Sequence, residues 1–273
     1  MPQYAALDER IARLRELAEA DERLEGVLLY GSWTLGEADE HSDIEAYLYV
    51  RDEHLDTFDG EAFLGRLAPL ELAYTNMFGI LAVVFDDLMR GEFHLTAAST
   101  GIDEVPGWAG LVHLPRPEAA VLLDRTGRLT EAARALAERR EPEAAATAQQ
   151  RIGELTNWTL ALAHILARGE LARAHNLLTA MIAPQQLQLL RVLRESTAHW
   201  LTPSRALEQD LPAEDIARYA KTTAPLEEDA LRDAARNSWT WSRELAAEAA
   251  RRWGCQVPER LHGKIADRLN VQS

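Results

Sequence analysis

LLYGSWTLGEADEHSDIEAYLYV, residues 28–50, decides how the chain is read. The apolar run Val27 to Tyr30 predicts a short strand, and Gly31-Ser32 closes it in a tight turn. Gly31 permits a backbone conformation that a β-carbon would resist. Ser32 then opens a short helix, whose free N–H groups and hydroxyl can hold phosphate oxygens. After ten intervening residues, 33–42, come Asp43-Ile44-Glu45, at the head of a second predicted strand, Ile44 to Val50. Residues two apart on a strand share a face, so the two carboxylates point the same way, with Cα atoms roughly 7 Å apart. Such a pair is costly unless a cation sits between its members, and Mg²⁺ is the natural oxygen-loving occupant. A phosphate-gripping turn beside a metal-binding carboxylate pair is a triphosphate site, in which the metal offsets charge on the phosphates. Gly-Ser alone means little, and Asp-x-Glu alone is usually a solvated strand face. Their conjunction between two apolar strands is specific.

Outward from this segment, Ile11, Leu14, Leu17 and Ala18 lie at helical spacing and predict a helix over residues 7–24. Further strands are predicted at Gly79 to Phe85, Glu92 to Ala97 and Ala120 to Asp124, the last followed by an Arg-Thr-Gly turn. From Glu143 onward Ala, Leu, Glu and Arg dominate and strand-like runs vanish. Helices are expected over Ala144 to Arg168, Glu170 to Ala183, Gln185 to Trp200, Ala213 to Lys221 and Glu227 to Trp253, with Gly169 and Pro184 separating the first three. The polar stretch RREPEAAATAQ (139–149) is the expected connector. The predicted architecture is therefore α+β: a mixed sheet with flanking helices over residues 1–140, then a helical bundle over 141–273.

Composition narrows the classes of function. Asp and Glu outnumber Lys and Arg by 44 to 29, a formal charge of -15 in 273 residues, which disfavours a nucleic acid partner. Such a surface suits a cationic small substrate or carboxylates that gather metal ions. The single cysteine, Cys255, rules out an intrachain disulfide and a Cys-rich zinc site. The charged N-terminal stretch does not read as a signal peptide, and no run has the ~18 apolar residues needed to cross a bilayer, so a cytoplasmic protein is expected.

The segment Tyr30-Gly31-Ser32 with Asp43-Ile44-Glu45-Ala46 resembles the nucleotidyltransferase signature, a hydrophobic residue and Gly-Gly or Gly-Ser followed at a distance by alternating acidic and hydrophobic positions. The likeness extends through Val83-Val84-Phe85-Asp86-Asp87-Leu88-Met89-Arg90-Gly91-Glu92-Phe93-His94, Arg168-Gly169-Glu170 with Arg173, and Ala220-Lys221-Thr222-Thr223-Ala224. These segments together are similar to the larger lincosamide nucleotidyltransferases, over nearly the whole chain; Leu29 stands where that pattern has Met. The resemblance implies a catalytic domain over 1–140 that transfers AMP from ATP, with Mg²⁺, to a hydroxyl of lincomycin or clindamycin, in a protein that tends to be a homodimer. It implies Asp43 and Glu45 as metal ligands and Glu92 as the general base. The chemistry agrees, because a carboxylate within reach can take the proton of an attacking hydroxyl. On residues alone, Glu92 reads equally as an exposed turn glutamate. Gly31, Ser32 and Lys221 are the candidates for holding the triphosphate, Lys221 as a point charge. His94 shares a strand face with Glu92 and can orient it, line the pocket, or serve only as a buried structural histidine. Arg168, Glu170 and Arg173 read as an internal ion-pair set, and Trp158, Trp239 and Trp241 as core or interface aromatics. An aminoglycoside or another small hydroxylated acceptor remains the alternative substrate, and a non-catalytic nucleotide-binding module the alternative class.

Overall fold

The computed structural model describes residues 5–271, which divide between Arg140 and Glu141 into two compact units. In the first unit the chain runs α1 (Ala5–Glu19), β1 (Leu24–Leu29), α2 (Ser32–Leu35), β2 (Ile44–Val50), α3 (Gly60–Gly65), β3 (Leu70–Thr75), β4 (Leu81–Phe85) and β5 (Arg90–Ala97). It continues through α4 (Ala98–Glu104), α5 (Pro117–Ala120), β6 (Val121–Asp124) and α6 (Arg128–Arg134). The strands form one six-stranded sheet in the order β3-β4-β5-β2-β1-β6. β2 and β5 are parallel and the other neighbours antiparallel, so this is a mixed sheet with flanking helices.

Side-chain alternation along β2 decides what each face of the sheet does. Ile44, Ala46, Leu48 and Val50 are buried against Leu7, Ile11, Leu14 and Leu17 of α1 and Phe63 of α3, closing this face over β2. The other face is divided. At the β1–β6 side, Leu28 and Tyr49 pack under Ile102 of α4 and Leu129 and Ala133 of α6. Asp43, Glu45, Glu92 and His94 sit beyond this cover and are only partly buried.

Two parts of the first unit depart from expectation. The first helix ends at Glu19, not at residue 24. The Asp21 carboxylate accepts from the Arg23 amide at 3.2 Å and from its guanidinium at 2.6 Å, turning the chain so that Leu24 begins β1. β3 was not expected at all. It is an edge strand whose segment LELAYT has no fully buried residue, so it lacks the alternation that marks a half-buried strand.

The second unit holds α7 (Ala144–Ala167), α8 (Leu171–Leu177), α9 (Ala183–Leu193), α10 (Leu207–Asp210), α11 (Ala213–Ala220), α12 (Glu228–Trp253) and α13 (Glu259–Leu269). Its core gathers Ile152, Leu162, Leu189, Leu190, Trp239, Leu245 and Ile265 from four of these helices. Pro184 does not separate two helices as expected. A π-helical turn over Leu178–Ile182 joins α8 to α9, and the proline follows this widened turn inside one continuous helical run. α9 stops at Leu193 rather than reaching Trp200. Glu195 adopts a left-handed φ of 56°, Ser196 N–H donates to Arg191 C=O at 2.9 Å, and Glu195 N–H donates to Val192 C=O at 3.3 Å. That is a Schellman cap built without glycine. Among the described residues no helix is long and apolar enough to cross a membrane.

Candidate active site

β1 ends at Leu29, and Tyr30 N–H still donates to Glu45 C=O at 3.2 Å, extending the ladder by one residue. Gly31 then turns the chain with φ +78°. A β-carbon at that position would lie 1.6 Å from Glu45 Oε2, so the turn rests directly against this carboxylate. Only glycine satisfies both the backbone angle and the contact. The short helix that Ser32 opens has no side-chain cap; Thr34 secures the turn by donating its hydroxyl to Gly31 C=O at 2.8 Å. From the closed face α1 fixes α2 and the β4–β5 turn: Asp8 accepts from the Trp33 indole at 2.8 Å, and Arg10 pairs with Asp87 at 2.8 Å.

The parallel register of β2 and β5 sets Glu45 opposite Glu92, Ile44 opposite Gly91 and Tyr47 opposite His94. Glu45 and Glu92 therefore share the open face side by side, with Asp43 just ahead of β2. Arg90, two residues before Glu92, reaches both neighbours: its guanidinium lies 3.6 Å from Asp43 Oδ2 and 3.4 Å from Glu92 Oε1. Tyr30 Oη meets His94 Nε2 at 3.1 Å, and the His94 ring stacks on Tyr47 with centroids 4.0 Å apart and planes 9° apart. Trp108 closes the aromatic set 4.6 Å from the Tyr47 ring. Burial raises the Tyr30 pKa, and the negative charges of Glu45, Glu92 and Asp43 push it the same way. Burial also lowers the His94 pKa, so hydroxyl and imidazole both stay neutral near pH 7.

Asp43, Glu45 and Glu92 offer the hard oxygen donors that a divalent cation requires. Among the described residues, no three acidic, histidine or cysteine side chains are gathered in a ready ligand set. A positive charge already lies beside Asp43 and Glu92, though, on an Arg90 side chain that is 63% exposed. The donor chemistry and this stand-in cation both fit a metal held at the mouth of the turn.

Gly31, Ser32, Asp43, Glu45 and Glu92 thus meet at one end of β1, β2 and β5. Lys221 belongs to the second unit, exposed at the C-terminal end of α11, where its carbonyl accepts from Asn237. Arg168 and Arg173 both pair with Glu170, at 3.9 and 3.0 Å. Trp239 and Trp241 are buried in the helical core, and Trp158 donates to Glu154 at 2.8 Å. Sequence reading did not single out Tyr47, Arg90 or Trp108. Parity with Glu45 and Glu92 was the available signal for the first two, while Trp108 arrives from a distant turn.

Residues 145–267 match the family described as lincosamide nucleotidyltransferase-like, C-terminal domain. No curated protein matches the sequence. Among solved structures, an aminoglycoside 6-adenyltransferase from Bacillus subtilis aligns with a TM-score of 0.44 at 13% identity, covering 96% of this chain and 98% of that one. A nucleotidyltransferase-like protein from Exiguobacterium sibiricum gives 0.38 at 10% identity, over 90% of this chain and 77% of the other. Neither likeness is close enough to assign chemistry. The likeness established is that of residues 145–267, in the helical unit, to the C-terminal domain of lincosamide nucleotidyltransferase-like proteins.

Proposed function

We propose that the open sheet face is an adenylyl-transfer site, moving AMP from ATP to a hydroxyl of a lincosamide. The observation that carries this reading is the packing of the Gly31 turn on the Glu45 carboxylate, with Glu92 in register beside it. The backbone N–H groups of the uncapped turn at Gly31-Ser32 bind phosphate oxygens. Asp43 and Glu45 would hold Mg²⁺, which would offset charge on the α-phosphate and the leaving pyrophosphate. Arg90, which pairs with Asp43 and Glu92, would give way to that charge. Glu92 takes the proton of the acceptor hydroxyl as its oxygen bonds to the α-phosphorus. The bond from the α-phosphorus to the bridging oxygen breaks, and pyrophosphate departs with the electron pair. His94, held neutral and clamped between Tyr30 and Tyr47, keeps that side of β5 rigid beside the base. Lys221 stays a proposed phosphate ligand by its charge alone.

Incubation with Mg-ATP and lincomycin should give a product heavier by one AMP unit, with pyrophosphate released in equal amount. If the added mass appears on kanamycin and never on lincomycin, the acceptor is an aminoglycoside and this assignment is wrong.

A further inference from the structure

We infer that Leu72, Tyr74 and Val84 form a platform that binds an apolar face of the acceptor, beside the hydroxyl that Glu92 activates. This rests on the adenylyl-transfer reading and adds where the acceptor lies. Across the sheet, Glu45 pairs with Glu92, Glu92 with Ala82, and Ala82 with Tyr74. Directly paired residues point to the same face, so these four form one transverse row. The next row runs from Arg90 to Val84 to Leu72. Gly31 and Ser32 flank Glu45 on the β1 side of the rows, which leaves the β4–β3 side of Glu92 for the acceptor.

That side is apolar. Leu72, Tyr74, Ala82 and Val84 are its open-face positions, and none carries a charge. Leu72 is 49% and Tyr74 53% exposed, large apolar side chains left uncovered on an edge strand next to a cluster of carboxylates. Leu88 adds an independent sign at the same end of the sheet. It lies in the turn from β4 to β5, two residues before Arg90, is 79% exposed, and holds a left-handed φ of 66°. Glycine or asparagine would adopt that angle at less cost, and strain kept in an exposed leucine points to a role in binding. From Glu92 toward the sheet edge, the β4 and β3 positions of these rows offer no carboxylate to a polycationic acceptor. The chemistry fits an amphiphile, with a hydroxylated ring over Glu92 and an alkyl or ring substituent lying on Tyr74, Val84 and Leu72.

The test compares wild type with Leu72→Glu/Tyr74→Ser and with Leu88→Gly, using clindamycin as the probe. Both positions of the double variant are half-exposed, so its Tm should match wild type. Its KM for clindamycin, and its calorimetric Kd for clindamycin alone, should rise about tenfold or more, while the KM for ATP stays unchanged. Leu88→Gly should raise Tm by relieving strain and still weaken clindamycin, a pair of changes that a purely structural leucine would not give. Unchanged clindamycin affinity in these variants overturns the platform and leaves adenylyl transfer standing. Adenylylation of kanamycin with no use of clindamycin does the same. Should the wild type adenylylate no acceptor, the transfer reading fails, and the titration decides the platform alone: binding lost in the double variant supports it, while equal or absent binding overturns it.

Discussion

The helical unit and the open face of the sheet treat buried and half-buried charge in opposite ways. In the helical unit Arg191 is fully buried, yet donates to Pro203 C=O at 2.8 Å, Ser196 C=O at 3.2 Å, Arg205 C=O and the Asp210 carboxylate at 2.8 Å. Asp210 also accepts from His199 at 2.7 Å; burial opposes its charged form, but these two hydrogen bonds hold its pKa below the usual carboxylate value. Arg194 likewise pairs with Asp215 and Glu248. Each charge there closes a network that shapes the loops after α9. On the open sheet face Asp43, Glu45 and Glu92 share one end of the sheet without closing into a ligand set, and the cation that joins two of them is an exposed arginine at more than 3.3 Å. Saturated networks fix structure, whereas a loosely balanced acidic cluster on an uncovered face is poised to exchange its cation.

That contrast can be broken by substitution. Arg191→Leu removes the partner of several buried acceptors and should cost about 3–5 kcal/mol, read as a lower urea midpoint. Loss of well under 1 kcal/mol would mean that the network shapes little. Gly31→Ala should act on the other unit. The added methyl must displace the Glu45 carboxylate by more than an ångström, so transfer should slow about 10²-fold with the helical unit intact. Activity near wild type would show that this contact does not matter. The smallest effect concerns pH. Thr156 donates its hydroxyl proton to Ile152 C=O, so it accepts from His262 Nε2 at 2.8 Å. Burial is the main cause that lowers the His262 pKa below its unfolded value. The unfolded chain therefore takes up protons first as pH falls through about 6.5, and stability declines from there downward. Tm should drop between pH 7.5 and 5.5, and His262→Gln should flatten that slope without abolishing it, because His94 is shifted the same way. An unchanged slope would argue against a neutral, buried His262.

Much of this site could be read from residues 28–50, because strand parity and a glycine turn are local properties. β2 spans Ile44–Val50, the strand expected from alternation, and Gly31 does adopt the angle that only glycine takes easily. What parity cannot show is which strands lie side by side. The adjacency of Glu45 and Glu92 depends on a parallel pairing between segments more than forty residues apart. The missed strand β3 has the same origin. Its partly exposed Leu72 and Tyr74 look like loop residues until β4 is known to lie beside them. In the helical unit composition marked the helices, but hydrogen bonding set their ends, as with Glu195 capping α9 and the π-turn before Pro184.

The central claim, that the open sheet face transfers AMP, is tested most directly by pyrophosphate release from Mg-ATP with lincomycin in wild type and Asp43→Asn. The variant keeps the shape of Asp43 and removes its charge. Turnover should fall by at least ~10²-fold with Tm unchanged. Near-normal turnover by a folded Asp43→Asn protein at saturating Mg²⁺ would contradict the account.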